Sequence, residues 1–186
     1  MNIRRTAMAA AVWGAVLAGS ARAQGPWYVA TNGSDAVGVT GLSWADAFQT
    51  ISNAVTNATA GTIYVSNGVY TLSQQISFSK ALVIEGVGGY SNVVVDGNRA
   101  GRCFVVDHTS AVLRGLTITN GYVASAEGGG VYLSRGTIRD CRIVGNYASN
   151  SFGGGISVYN LTAGITNFIL NSRIEANTAV MGGGVS

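Results

Sequence analysis

The chain has 186 residues, of which 11 are Lys or Arg and 8 are Asp or Glu, giving a formal net charge of +3 at pH 7. Arg4, Arg5 and Arg22 carry that whole excess, so removing the first 23 residues leaves 8 basic and 8 acidic side chains and a length that suits one domain. The pI near 9.1 therefore belongs to the precursor and is no argument for nucleic acid or an anionic membrane as partner.

Residues 1–23 read as a secretory signal peptide. Arg4 and Arg5 form the positive n-region, residues 7 to 18 the apolar h-region, and "ARA" at 21 to 23 an A-x-A cleavage site, with cleavage between Ala23 and Gln24. The h-region is too short to span a bilayer, and no later segment is long and apolar enough to do so. The mature chain is expected to be exported and to act outside the cell or on its outer surface.

Residues 24–78 read as an N-terminal cap with the first strands. "PWYVA" is a short strand, "TNGSDAVGVTG" a loop, and "SWADAFQTISNAVTNA" the one helix of the mature protein. Trp44, Phe48, Ile51, Val55 and Ala58 recur at helical spacing and predict a buried face, while Ser43 with Asp46 resembles a capping box with Asp in place of Glu. "TIYVSNGVYTL" follows as two β runs around an Asn-Gly turn. Residues 79–186 then carry "ALVIEG", "NVVVDG" and "CFVVDH", and the helical signal does not return.

From residue 104 the chain repeats. "VLRGLTITNG", "TIRDCRIVGN" and "FILNSRIEAN" share a frame that aligns Ile118, Ile143 and Ile174 in one column and Gly121, Asn146 and Asn177 in another. A glycine triplet follows each decamer, at 128–130, 153–155 and 182–184. "VYL" or "ISV" follows each of the first two triplets as a second short strand, and "FVV" at 104–106 holds that place one coil earlier. The isoleucines lie 25 and then 31 residues apart, with a connection absorbing the insertion. One such unit cannot bury its own apolar face, whereas stacked units pair strand on strand and share a core. The reading is an all-β, right-handed parallel β-helix, a β-solenoid whose cap contains one amphipathic helix. A leucine-rich repeat is rejected: the chain has 9 leucines, Ala148 and Ala179 stand where the template wants Leu, and the glycine triplet has no place in that template. The chain reaches Ser186 directly after a fresh triplet, so C-terminal coils are expected to be missing.

"YVATNGSD", "SWADAFQTISNAV" and "GTIYVSNGVY", followed by "VVVDGNRAGRCFVVDHTSAVLRGLTITNG", resemble secreted right-handed β-helix proteins of the pectin-lyase-like fold. "GGGV" and "GGGI" behind "IVGN" and "IEAN" resemble the GGA-I and F-x-x-N repeats of polymorphic outer-membrane proteins, with Ile143 and Ile174 in place of Phe and a third Gly in place of Ala. The resemblance implies a secreted or cell-surface protein with a structural or adhesive, passenger-like role. The alternative it implies is a polysaccharide lyase.

A lyase of that fold would carry clustered carboxylates for calcium and a Lys or Arg base. In the repeat frame Asp140 aligns with Gly115 and Asn171, and Glu175 with Thr119 and Val144, so no two acids share a column. Lys80 reads as a solvated residue ahead of a strand, His108 as a residue entering a turn, and "DGN" at 96–98 as turn chemistry. No catalytic residue, metal or cofactor is assigned.

Four arginines form the candidate site for an anionic ligand. Arg142 and Arg173 face outward in one column, with Arg114 and Arg139 in a neighbouring one. Like charges stacked at strand spacing repel, so either an anionic ligand offsets them or Asp140 and Glu175 bridge them diagonally, which is the favoured reading. The expected partners are polysaccharides or cell-surface glycans. An exported chain with two cysteines makes a disulfide the default, but the register places Cys141 with Leu116 and Ser172, and Cys103 with Gly130 and Gly155. Both are expected to stay unpaired.

Overall fold

The computed structural model describes residues 25–159 and 164–186; the signal segment, with Ala23 and Gln24, lies outside them. The cap begins with β1 (Trp27–Val29) and α1 (Ile51–Asn57). The first coil holds β2 (Gly61–Val65) and β3 (Gly68–Thr71), and the second β4 (Ile76–Phe78), β5 (Leu82–Gly86) and β6 (Val93–Asp96). Next come β7 (Phe104–Arg114), β8 (Thr117–Thr119) and β9 (Tyr122–Val123), then β10 (Val131–Arg139), β11 (Arg142–Val144) and β12 (Tyr147–Phe152). The last coil holds β13 (Ile156–Val158), β14 (Phe168–Leu170), β15 (Arg173–Glu175) and β16 (Thr178–Met181). All pair in parallel and stack as a β-solenoid of about 5 turns, consistent with the right-handed form.

Three sheets line the solenoid. The first runs β1, β2, β5, β7, β10, β13, with β4 and β14 paired to it; the second runs β3, β6, β8, β11, β15; the third runs β9, β12, β16. The isoleucine column is in register, Ile118 on Ile143 and Ile143 on Ile174, and it reaches back through Val95 to Tyr70. A second inward column stacks Trp27, Ile63, Ile84, Leu113, Ile138 and Ile169. Ile63, Ile84, Leu113, Ile118, Ile138 and Ile143 have no exposed surface, so burial follows the alternation that the strands impose. Each coil thus borrows its core from its neighbours.

Two features differ from the sequence reading. Each decamer is two strands, because Gly115, Asp140 and Asn171 take φ of 66°, 53° and 48° and turn the chain from the first sheet into the second. Asn120, Gly145 and Ala176 repeat the bend at φ 54°, 67° and 52°, ahead of a third strand that the sequence did not announce. Gly, Asn and Asp tolerate this left-handed region.

The predicted helix also breaks. Ser43 accepts from Asp46 N to cap a single 3-10 turn over Trp44–Asp46, and Thr50 caps α1 separately. Between them the backbone is extended, because Phe48 pairs with Val29 as one more residue of parallel strand. Asp35 holds this path, taking Gln49 N at 2.8 Å, Thr50 N at 3.2 Å and Thr50 Oγ1 at 2.6 Å. Phe48, Ile51, Val55 and Ala58 are buried as expected, but Trp44 is 47% exposed and lies against Tyr28.

The glycine triplet has three separate causes. Gly128, Gly153 and Gly182 take φ of 67°, 63° and 60°. At Gly129 and Gly154 a Cβ would come within 2.6 Å of Gly154 O and 2.3 Å of Thr178 O. At Gly130 and Gly155 it would meet the next coil's backbone and the amides of Asn146 and Asn177. The triplets themselves stack, Gly129 N donating to Gly153 O and Gly154 N to Gly182 O.

Candidate functional site

The outward residues inherit the same register. Arg142 lies on Arg173 and Arg139 on Arg114, so the four candidate arginines stand as two columns either side of the Gly115, Asp140, Asn171 corner. Between them the acids interleave. Arg142 Nε lies 2.6 Å from Glu175 Oε1; Asp140 Oδ2 takes Arg139 Nε at 3.0 Å and Arg114 Nε at 3.6 Å; Arg114 Nη1 reaches Glu85 at 3.3 Å. The Arg139 hydrogen bond holds the Asp140 carboxyl below the usual carboxylate range. Four guanidiniums thus face three carboxylates, and Arg173 makes no ion pair among the described residues.

A turn at residues 87–92 overhangs this face, pinned where Thr117 Oγ1 donates to Tyr90 O at 2.6 Å. Beneath it, Arg142, Arg173 and Glu175 border a hollow of about 330 Å³, and Glu85, Arg114 and Asp140 border one of about 450 Å³. Both include Tyr90 and Ser91, so Arg142 and Arg173 on one hand and Arg114 on the other line two hollows that share one turn, while Arg139 borders neither. The paired guanidiniums have part of their charge already offset by a carboxylate, whereas Arg173 keeps its charge uncompensated by any ion pair among the described residues.

Other residues of interest fall elsewhere. Lys80 is no free solvated residue: its Nζ donates to Val55 O at 2.7 Å, Thr56 O at 3.3 Å and Ala58 O at 2.8 Å, closing the C-terminal carbonyls of α1. His108 Nδ1 accepts from Ser110 N at 3.1 Å, while Asp107 takes Arg135 Nε at 2.7 Å. Asp96 Oδ1 accepts from Asn98 N at 2.8 Å, as turn chemistry requires. Among the described residues no three His, Cys, Asp or Glu side chains gather as a metal site, and no helix is long and apolar enough to cross a membrane.

Both cysteines are free and buried. Desolvation pushes the Cys103 thiol up to about 12 and the Cys141 thiol up to about 11.

Sequence reasoning missed two outward aromatic pairs. Tyr122 stacks on Tyr147 with centroids 5.8 Å apart and planes at 17°, and Tyr132 lies 6.4 Å from Tyr159. The Arg102 guanidinium sits 5.1 Å over the Tyr132 ring, its Nε held by Gly128 O. The frame that aligns Gly121 with Asn146 already aligns Tyr122 with Tyr147, so the first stack was within reach of the repeat.

No protein-family model, curated protein or solved structure matches this chain.

Proposed function

We propose that this chain is an exported β-helix protein of the outer cell surface, with a structural or adhesive role akin to that of polymorphic outer-membrane proteins, and that glycans are its partners. The supporting observation is that outward side chains recur in register along the axis and pair between coils: Arg142 with Glu175, Arg114 with Asp140, Arg135 with Asp107. Charges engaged in this way stitch coils together. Two outward tyrosine pairs, Tyr122 with Tyr147 and Tyr132 with Tyr159, each join successive coils and offer ring faces of the kind that sugars stack on. Arg173, which makes no ion pair among the described residues, would supply the contact to an anionic group.

Retention on immobilised pectate and alginate tests this reading. Arg142→Ala with Arg173→Ala is expected to abolish retention, and elution of the parent protein should shift strongly with salt. Unchanged retention of the double variant would remove the arginine face from the function. Release of unsaturated uronate products from these polymers with calcium present would instead establish the lyase reading and overturn the adhesive one.

A further inference from the structure

We propose that a groove in the N-terminal cap, separate from the arginine face, binds an uncharged carbohydrate. It deepens the glycan reading above but concerns a different surface and a chemically different ligand.

The groove lies between the start of α1 and β3 and encloses about 330 Å³, within the size range of small-ligand sites. Its floor is apolar: Ile51 and Leu72 are buried, and Val69 beside them is 58% exposed. Its rim carries Thr31, Gln49, Ser52, Thr71, Ser73 and Gln74. None of these six side chains makes a hydrogen bond among the described residues. The contrast with the arginine face is direct, since most charged groups there already have partners.

The lining holds no carboxylate, ammonium, guanidinium or imidazole. Its one ionisable group, the buried Tyr70 phenol, is turned toward Ser66, 3.0 Å from both its Oγ and its carbonyl oxygen. Nothing charged is therefore available to anchor a phosphate or carboxylate. Hydroxyls and carboxamides donate and accept alike, as sugar hydroxyls do, and the apolar floor matches the C–H face of a pyranose ring. β3 ends its sheet, so backbone groups along its outer edge add donors and acceptors. An added peptide strand is a poorer fit. The edge is only 4 residues long, and Thr31 closes one end, its Cγ2 2.5 Å from where a Cβ on Gly68 would stand.

The test titrates the exported chain with maltotetraose, cellotetraose, chitotetraose and xylotetraose, following backbone amide shifts. An uncharged Ala/Thr peptide forms a separate arm. Saturable shifts confined to Thr31, Gln49–Ser52 and Val69–Gln74 are expected with at least one sugar, unchanged at high salt. Gln49→Ala with Gln74→Ala should weaken that binding about tenfold or more. Val69→Arg, an exposed change that leaves the far-UV circular dichroism intact, should abolish it. Retention on pectate should be unaffected by Val69→Arg, and sugar binding unaffected by Arg142→Ala with Arg173→Ala, so either site can fail alone. No saturable shift with any of the four sugars, binding that survives Val69→Arg, shifts centred elsewhere, or binding of the peptide alone would each overturn the proposal.

Discussion

Asn177 Oδ1 accepts two hydrogen bonds from a single residue one coil away, Asn146 N at 2.9 Å and Asn146 Nδ2 at 3.0 Å. Asn146 repeats the device upward, its Oδ1 taking Gly121 N at 2.8 Å and its Nδ2 donating to Ile118 O at 3.0 Å. Asn177 Nδ2 donates to Ile143 O at 2.8 Å. Side-chain amides thus satisfy the backbone at the corner where each coil leaves the second sheet. The column opens with glycine because a Cβ at Gly121 would lie 2.1 Å from Gly129 O.

Asn146→Ala strips the buried Gly121 N–H of its side-chain acceptor and removes one of the donors to the Ile118 carbonyl. A loss on the order of 3 kcal/mol is expected, since each buried polar group left unpaired costs about 1–3 kcal/mol. Urea unfolding checks this; a midpoint within error of the parent protein would show that water replaces the amide at no cost.

Gly154→Ala places a methyl 2.3 Å from Thr178 O and 2.6 Å from Gly183 O, both backbone atoms that cannot swing aside. Destabilisation of at least about 1–3 kcal/mol is expected. Gly101→Ala is the control: the nearest atom to its Cβ is Gln75 N at 3.9 Å, and the melting temperature should stay near the parent value.

The thiols of Cys103 and Cys141 are buried and held as neutral S–H groups, with values raised to about 12 and about 11. Native protein at pH 8 should react slowly with a disulfide reagent such as Ellman's. After denaturation without reductant, both thiols per chain should titrate. Recovery of none would establish a disulfide.

The Arg135 hydrogen bond lowers the Asp107 carboxyl below its ordinary value, and the Arg139 hydrogen bond does the same for Asp140. Carboxyls that are more acidic when folded stabilise the protein fully above the unfolded value of about 4. That contribution is lost as pH falls through the lower folded values. Urea midpoints should therefore hold from neutrality to about pH 5 and then fall. Asp107→Asn should make the fall shallower, and high salt should shrink it, because both carboxylates are partly exposed. A profile identical in the variant would remove Asp107 from the linkage.

The repeat was legible because apolar residues at one place in each decamer must face one core: Ile118, Ile143 and Ile174 share a column in the sequence frame and are in register in the fold. The diagonal ion pairs were legible for the same reason, since a known register makes neighbours of Arg142 and Glu175. The αL corners were not, because Asp140 and Asn171 interrupt the apolar pattern no more than an ordinary polar residue does. Lys80 was misread because its partners are backbone carbonyls 22 to 25 residues away, which carry no side-chain signature.

Stacking follows from the residue pattern alone: parallel strands with apolar faces at a regular interval have few ways to leave water except onto one another. Folding in three dimensions decided how the chain bends between sheets and where the cap helix stops. Phe48 lies within a helical periodicity, yet its backbone completes the edge beside Val29, and Asp35 secures the extended path. Local periodicity sets which side chains seek the core, but long-range hydrogen bonds choose the backbone that takes them there. The same distinction separates the two surfaces. The arginine columns could be read from register, whereas the cap groove exists only because the start of α1 and β3, distant in pattern and unlike in type, come to line one hollow.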